Sequence, residues 1–515
     1  MTDAAVAIAA NTINLSLVSH TNAGKTTLVR TLIGQDVGEV RDAAHVTEVA
    51  TGYVMVQAGD DTLMLWDTPG FGDTNRLLKR LKLSSNPVGW LLTQVWDRFR
   101  ERPLWSSQQA VRNARDHADV ILYLVNAAED PAGAAYVPLE MELLAWIGKP
   151  VILLLNQMGP PRADAGDEVE RWRTHLAPTG VVAGALPLDA FARCWVQEAT
   201  LLDTVRPLLP PAKQATLDRI MLAWRERNLD RFHAAMGILT RPLAAAVIDR
   251  EPVADRGWQD KLSDAFGSLR KEAPAEARRA MASLAERLEA GTRVSTEELI
   301  DLHGLTGNAV REVLHRLRDD YASSAPAREG YSAMLGGLMS GAVGGLAADL
   351  AAGGLTLGGG MIVGGLLGAI GAGGLARGYN MARGEEGSAV RWSEDFFEQL
   401  VQSALLRYLA VAHFGRGRGD FAQGEHPVIW QAAVTAVIVA RRDELRAVWD
   451  SARQGHVEAV ALRLERLLTD AAAGLLSEFY PSSKELLVNA TAQTAPDPIE
   501  NGLMERISGY LGPHP

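Results

Sequence analysis

The stretch from Ile13 to Thr27, INLSLVSHTNAGKTT, constrains the fold of this chain more than any other. An apolar run enters a polar turn, and Gly24-Lys25-Thr26 then opens a helical stretch that ends near Ile33. This order is typical of a Walker A phosphate loop, although Ser19 stands where that pattern begins with glycine. Backbone N–H groups of such a loop hold phosphates. The predicted nucleotide-binding residues here are Asn22, Ala23, Gly24, Lys25, Thr26 and Thr27.

A second motif follows at Leu63–Gly72, LMLWDTPGFG, where another apolar run ends in a D-x-x-G box. A phosphate loop, a polar linker and this box, in that order, are typical of switch GTPases. Asp67 is then predicted to position magnesium, and the Gly70 N–H to contact the γ-phosphate. The linker supplies Thr47 as the switch threonine, with Thr51 as the alternative. The predicted catalytic residues are Lys25, Thr47 and Gly70, and the predicted magnesium ligands are Thr26, Thr47 and Asp67.

Residues 13–208 resemble the G domains of the TrmE–Era–EngA group of bacterial GTPases. The residues that carry this resemblance are SHTNAGKT with the following LVRTL, GEV at Gly38–Val40, and WDTPGFGD. The whole chain, including Ala333–Asn380 and RYLAVAHFGRGRGDF at Arg407–Phe421, resembles a bacterial family that joins a G domain to a C-terminal domain of unknown function. The resemblance implies an α/β G domain with a mostly parallel sheet, and binding of GTP, GDP and Mg²⁺. It implies no function for the C-terminal domain.

The segment that should recognise the base departs from the G-domain pattern. An N-K-x-D box is expected after the strand Pro150–Leu155, and the sequence there reads Asn156-Gln157-Met158-Gly159. The aspartate that accepts the guanine N–H groups is therefore missing, which puts the preference for GTP over ATP in doubt. Asp189, in the place of the weak fifth box, is a candidate to compensate. The predicted base-site residues are Asn156 and Asp189.

Asn22 stands two residues before Gly24. In potassium-dependent members of the TrmE-type group, an asparagine at this place ligates a monovalent cation beside the phosphates. The resemblance thus makes Asn22 a candidate K⁺ ligand, and the alternative is a side chain that caps the loop. Phe71 occupies the place of the glutamine that orients water in Ras-like enzymes, so slow hydrolysis by the isolated protein is expected.

Composition bounds the rest of the chain. A length of 515 residues and a hydrophobic content of 47% support two or three domains with packed cores. The net charge of −11 argues against a nucleic-acid partner, and the single cysteine suits the cytosol. Helical spacing of apolar residues after residue 210 predicts an all-α C-terminal region. The predicted division is a GTPase domain at 1–210, helical regions at 211–330 and 383–480, a glycine-rich hairpin at 331–382 and a loose tail at 481–515.

Ala333–Ala376 carries a single charge, Asp349, and has a Gly358-Gly359-Gly360 break near its middle. Each arm approaches the roughly 20 residues that a bilayer-spanning helix needs. Glycines recur every four residues in both arms, a pattern that lets helices approach closely in lipid or in protein. Flanking arginines would leave both ends in the cytoplasm. The alternative to membrane insertion is a hairpin buried in the protein or in a homo-oligomer.

Together these features predict a cytoplasmic GTP-binding and GTP-hydrolysing switch whose helical C-terminal half acts at or in the inner membrane. The predicted partners are a guanine nucleotide and a membrane or membrane protein, with self-association as a further possibility. Two alternatives remain open: an ATPase, and a nucleotide-gated scaffold with negligible turnover.

Overall fold

The structure of the protein is a computed structural model. It describes residues 11–21, 23–34, 49–72, 74–82, 86, 102–158, 165–188, 194–253, 275–305, 379–384, 387–413, 426–453 and 457–492. The chain divides into two compact units. The first comprises Met1–Leu229 with His413–Glu425, and the second comprises Asp230–Ala412 with His426–Pro515.

The first unit is built on a six-stranded sheet with the order β2-β3-β1-β4-β5-β6. Only the β2–β3 pair is antiparallel, which confirms the predicted mostly parallel α/β fold. The central strands are continuous apolar runs because both of their faces are covered, as is usual in parallel sheets. The strands are β1 (Thr12–Val18), β2 (Thr51–Ala58), β3 (Asp61–Asp67), β4 (Val120–Asn126), β5 (Val151–Asn156) and β6 (Val182–Pro187).

Sheet topology determines where a ligand can bind. Strand β1 lies between β3 and β4. The chain therefore adds β2 and β3 on one side of β1, and then β4, β5 and β6 on the other side. In open parallel sheets, ligands bind at the carboxyl ends of strands at such a switch point. The loops that follow β1, β3 and β5 all leave from this edge. These loops contain the motifs predicted to bind phosphate, magnesium and base.

The helices of the first unit cover the sheet and extend the unit beyond residue 210. Lys213 Nζ lies 2.7 Å from Asp119 Oδ2, Arg219 pairs with Asp61, and Trp224 Nε1 donates to Glu198. Through these contacts the start of α7 belongs to the first unit. The boundary with the second unit falls within α7, after Leu229. The helices are α1 (Lys25–Ile33), α2 (Thr74–Leu81), α3 (Arg102–Asp116), α4 (Tyr136–Ile147), α5 (Ala165–Leu176), α6 (Trp195–Val205) and α7 (Pro211–Ile248).

The second unit is mainly helical, and it also contains a small antiparallel sheet with the order β7-β9-β8 that the sequence analysis did not predict. Its strands are short, and the pairing of β7 with β9 places Arg250 opposite Arg391. Local sequence periodicity does not predict a pairing between residues so far apart in the chain. The elements are β7 (Arg250–Val253), α8 (Ala275–Leu302), β8 (Tyr379–Gly384), β9 (Gly387–Trp392), α9 (Glu394–Ala412), α10 (His426–Ala440), α11 (Arg442–Arg453), α12 (Val457–Phe479) and α13 (Lys484–Ala492).

The core of the second unit combines aromatic packing with a buried polar contact. Trp392 stacks on Phe396, with ring centroids 4.5 Å apart. The buried Arg407 side chain donates to Thr296 Oγ1 at 2.8 Å, which joins α9 to α8. The chain also remains helical beyond residue 481, where a loose tail was predicted. A short helical turn at Pro481–Ser483 leads into α13, whose Leu487 is buried.

Among the helices that the structure describes, none is both long enough and apolar enough to cross a membrane. The glycine-rich segment Ala333–Ala376 lies outside the described residues.

Candidate functional site

The predicted phosphate loop connects β1 to α1. Gly24 caps the helix with a left-handed backbone, φ +89°, a conformation that favours glycine. A side chain at this position would also place its Cβ 2.8 Å from Asn156 Nδ2. The loop therefore needs glycine at position 24 for two independent reasons. The neighbouring Ala23 and Thr27 are buried, so the loop and the first turn of α1 are packed in place.

The side chain of Lys25 lies inside this loop and is only 7% exposed. Its Nζ donates to Ser19 Oγ at 2.8 Å and to the His20 carbonyl oxygen at 3.2 Å. Burial lowers the pKa of Lys25 to about 8, and the negative charges of Asp67 and Glu140 oppose this fall. A buried ammonium that donates to neutral acceptors is strongly attracted to an entering phosphate.

Thr26 and Asp67 come together although they are far apart in the sequence. The Thr26 hydroxyl donates to Asp67 Oδ2 at 2.7 Å, and Asp67 is buried. A hydroxyl and a carboxylate at one point fit Mg²⁺, which prefers oxygen ligands and takes others from water and nucleotide phosphates. In the part of the chain that the structure describes, no group of three or more His, Cys, Asp or Glu residues could hold a metal ion. The fit therefore depends on a nucleotide that completes the site.

The loop after β3 is bonded to the phosphate loop. The Phe71 N–H donates to the Ser19 carbonyl at 2.9 Å, and the Thr21 N–H donates to the Phe71 carbonyl at 3.3 Å. The Thr68 hydroxyl donates to the Leu17 carbonyl at 2.6 Å. Gly70 lies so close that an added Cβ would be 2.8 Å from Thr21 Cα. The two motifs predicted separately from the sequence thus form one structural element.

The base box also reaches the phosphate loop. The buried Asn156 amide donates to the Ala23 carbonyl at 3.1 Å. Gln157 follows with a left-handed backbone, φ +61°, which is unusual for a residue other than glycine. This turn separates Asn156, which supports the phosphate loop, from the residues after it.

Three predicted site residues, Asn22, Thr47 and Asp189, lie outside the described residues, as does Gly159. The alternative switch residue Thr51 is described and begins β2. Its side chain is exposed, and its hydroxyl donates to the Val49 carbonyl at 3.3 Å. The described members of the predicted site all lie at the carboxyl edge of the sheet, on α1, on the loops before α1 and after β3, or at the last residue of β3 or β5; they are Ala23, Gly24, Lys25, Thr26, Thr27, Asp67, Gly70 and Asn156.

The sequence analysis missed one group of polar residues beside the phosphate loop. Glu140 in α4 is fully buried, and its Oε1 lies 2.7 Å from His20 Nδ1 and 3.0 Å from the Thr74 hydroxyl. Tyr123 donates to the other carboxylate oxygen. The available signal in the sequence was Glu140 itself, a charged residue on the apolar helix face that includes Val137 and Met141. Because a buried carboxylate needs hydrogen-bond partners, this position indicates a polar group nearby.

The fold and the site define a P-loop GTPase. Residues 14–157 match the sequence model of a family described as 50S ribosome-binding GTPase. Residues 184–472, more than half of the chain, match the family described as domain of unknown function DUF3482. The chain belongs to this DUF3482 family.

Solved structures with similar folds include two that were determined with bound GDP·AlF4⁻. Era from Aquifex aeolicus, bound to GDP·AlF4⁻, is 19% identical over 39% of this chain, with a TM-score of 0.27. The match spans 57% of that Era chain. NFeoB from S. thermophilus, bound to GDP·AlF4⁻ and K⁺, is 17% identical over 41% of this chain and 79% of its own, with a TM-score of 0.23. No curated protein matches this chain.

Proposed function

We propose that this chain is a magnesium-dependent GTP switch whose nucleotide state controls a helical C-terminal half that acts at or in a membrane. The switch part depends on the backbone hydrogen bonds that tie Phe71 to Ser19 and Thr21. A γ-phosphate beside Gly70 changes this connection between the two loops when it binds or leaves. Ordering and release of such a loop is a common way for a GTPase to change state.

Each site residue has a role in this proposal. Lys25 contacts the β- and γ-phosphate oxygens, and the Gly70 N–H contacts the γ-phosphate. Thr26 and Asp67, already 2.7 Å apart, hold Mg²⁺ together with Thr47. When bound, this ion neutralises negative charge on the phosphates. Phe71 cannot orient water as a glutamine does, so turnover by the isolated protein is slow.

Asn22 is proposed to hold K⁺ beside the phosphates, where a cation offsets charge that develops between the β- and γ-phosphates. Replacing potassium by sodium at equal ionic strength should slow GTP hydrolysis, and Asn22→Ala should remove the difference between the two salts. Phosphate release measured in both salts tests this. Equal wild-type rates in potassium and sodium would leave Asn22 as a residue that only caps the loop.

Base selectivity should be weak for a GTPase, because no aspartate stands at position 159 to accept the guanine N–H groups. We expect GTP to be preferred over ATP by much less than the roughly 10⁴–10⁵-fold of a dedicated hydrogen-bonding site. Competition of GTP and ATP for a fluorescent GDP analogue measures this ratio. If the preference is that strong, Asp189→Ala should identify the carboxylate that replaces the missing one.

The membrane part of the proposal depends on the apolar composition of Ala333–Ala376, in which Asp349 is the single charge. Arms that are apolar on nearly all sides must contact lipid, protein or a second copy of themselves. Arg328, Arg377 and Arg383 flank the segment and place both of its ends on the cytoplasmic side. We therefore propose that the chain works from the cytoplasm on the inner membrane.

Flotation with vesicles of phosphatidylethanolamine and phosphatidylglycerol tests this part. The wild-type protein should float with the lipid, and Gly341→Leu with Gly345→Leu should reduce flotation, since bulky side chains separate helices that meet at glycines. Gly474→Leu is the matched control, because its helical position in the second unit is exposed and has open space beside it. A wild-type protein that stays monomeric and unbound to lipid would show that the segment is an internal core element. Lipid-free assembly with negligible phosphate release would instead favour the scaffold alternative.

A further inference from the structure

Glu140 connects the phosphate loop to the start of α2. Its Oε1 is 2.7 Å from Nδ1 of His20 in the phosphate loop. The same oxygen is 3.0 Å from the hydroxyl of Thr74, the first residue of α2. Helix α2 directly follows the D-x-x-G box, so one carboxylate oxygen contacts both the loop that binds phosphate and the helix that follows the phosphate sensor.

The surroundings hold this carboxylate in one position. Tyr123, in β4, donates a hydrogen bond to Glu140 Oε2. Burial raises the pKa of the Tyr123 hydroxyl well above its ordinary value, so this hydroxyl keeps its proton and remains a donor. Tyr136 lies one turn before Glu140 on α4, and its ring packs on His20 with centroids 4.3 Å apart. Helix α4 thus presents an aromatic ring and a carboxylate to the same histidine.

The contact with α2 can be made or broken. The Thr74 hydroxyl has one proton, and besides Glu140 at 3.0 Å it lies 3.2 Å from the Gly72 carbonyl. One proton makes one strong hydrogen bond, so the hydroxyl favours one of these acceptors over the other. Which acceptor the Thr74 hydroxyl favours therefore depends on the position of the loop that carries Gly72.

We propose that Glu140 is a positioning residue for GTP hydrolysis, which holds the phosphate loop and the start of α2 in the arrangement that hydrolysis requires. Glu140 touches neither nucleotide nor metal in this proposal, and it acts through His20 and Thr74. The inference rests on the proposed GTP switch and adds to it the helix through which the two loops are coupled.

The test separates hydrolysis from binding in single-turnover and steady-state assays. Thr74→Val removes the hydroxyl with little change in volume, and we expect kcat to fall about tenfold while GDP affinity changes less than about threefold. Glu140→Gln keeps an acceptor for His20 and Thr74 but loses the charge, so its kcat should lie between those of the wild type and Glu140→Ala. Thr74→Val combined with Glu140→Ala should be no slower than Glu140→Ala alone.

Thr204→Val is the matched control, because it removes a threonine hydroxyl that donates within its own helix, to the Thr200 carbonyl at 2.8 Å in α6. It should leave kcat unchanged. If Thr74→Val and Glu140→Gln retain wild-type kcat while the wild type hydrolyses GTP, Glu140 is only structural and this inference is overturned. If the wild type shows no hydrolysis in any salt, the proposed function and this inference both fail.

Discussion

Lys25→Ala is expected to weaken GTP and GDP binding at least about 100-fold, since two charge-assisted hydrogen bonds of about 1.5–3 kcal/mol each are lost. The variant should fold. Burial lowers the pKa of Lys25, so its charge is disfavoured in the nucleotide-free protein, and alanine removes this buried charge. Titration with a fluorescent GDP analogue measures the loss, and the unfolding temperature checks the fold.

Lys82→Ala is the matched control for this substitution. Lys82 follows α2, and its half-exposed side chain pairs with Glu142 at 3.0 Å on the surface. Its removal should leave nucleotide affinity unchanged, since surface ion pairs contribute little. Unchanged affinity in Lys25→Ala would show that the loop after β1 does not bind phosphate.

The same lysine should make nucleotide affinity depend on pH. In the free protein the pKa of Lys25 is lowered to about 8, whereas bound phosphates favour the protonated form. Below pH 8 both states carry the proton, and affinity is constant. Above pH 8 the free protein must take up a proton on binding, so affinity should fall about fivefold between pH 8 and 9 and approach tenfold per pH unit above pH 9. Lys25→Ala should show no such slope.

Gly70→Ala is expected to abolish the switch with a smaller effect on GDP binding. The added Cβ would lie 2.8 Å from Thr21 Cα and 3.0 Å from Thr21 N, which are backbone atoms of the phosphate loop. The two loops must therefore separate, and the hydrogen bonds of Phe71 with Ser19 and Thr21 are lost. Such overpacking costs about 1–3 kcal/mol of stability. Phosphate release should fall at least tenfold.

Gly166→Ala provides the comparison. Gly166 is in α5, where an added Cβ meets nothing within 4 Å and alanine is the better helix former. Its phosphate release should match the wild type, and its unfolding temperature should be equal or higher. If Gly70→Ala hydrolyses GTP like Gly166→Ala, close contact between the two loops is not needed for hydrolysis.

Local sequence patterns predicted the G-domain sheet and most of the described site. The continuous apolar run of β5 predicts a strand that is covered on both faces. The motif Gly24-Lys25-Thr26 lies within one loop and the first turn of one helix. Each of these features needs only neighbouring residues. The phosphate loop and the D-x-x-G box could therefore be placed at one edge of the sheet before any contact was known.

The polar group around Glu140 and the small sheet of the second unit were missed because both depend on contacts between distant residues. His20 and Glu140 are separated by 120 positions, and neither residue type marks a phosphate loop or a switch helix on its own. The β7–β9 pairing likewise joins Arg250 to Arg391. Only the packing of α4 against the loops, or of one strand against another, brings such residues together.

The hydrogen bond from Asn156 to the Ala23 carbonyl has a consequence for how base recognition can change. Asn156 supports the phosphate loop, and the left-handed turn at Gln157 lies between Asn156 and position 159. Support of the phosphate loop by Asn156 is therefore separable from recognition of the base by the residues that follow it. On the proposed function, substitutions at positions 157 and 159 would change the range of nucleobases without loosening the phosphate loop, as long as Asn156 keeps its hydrogen bond to Ala23.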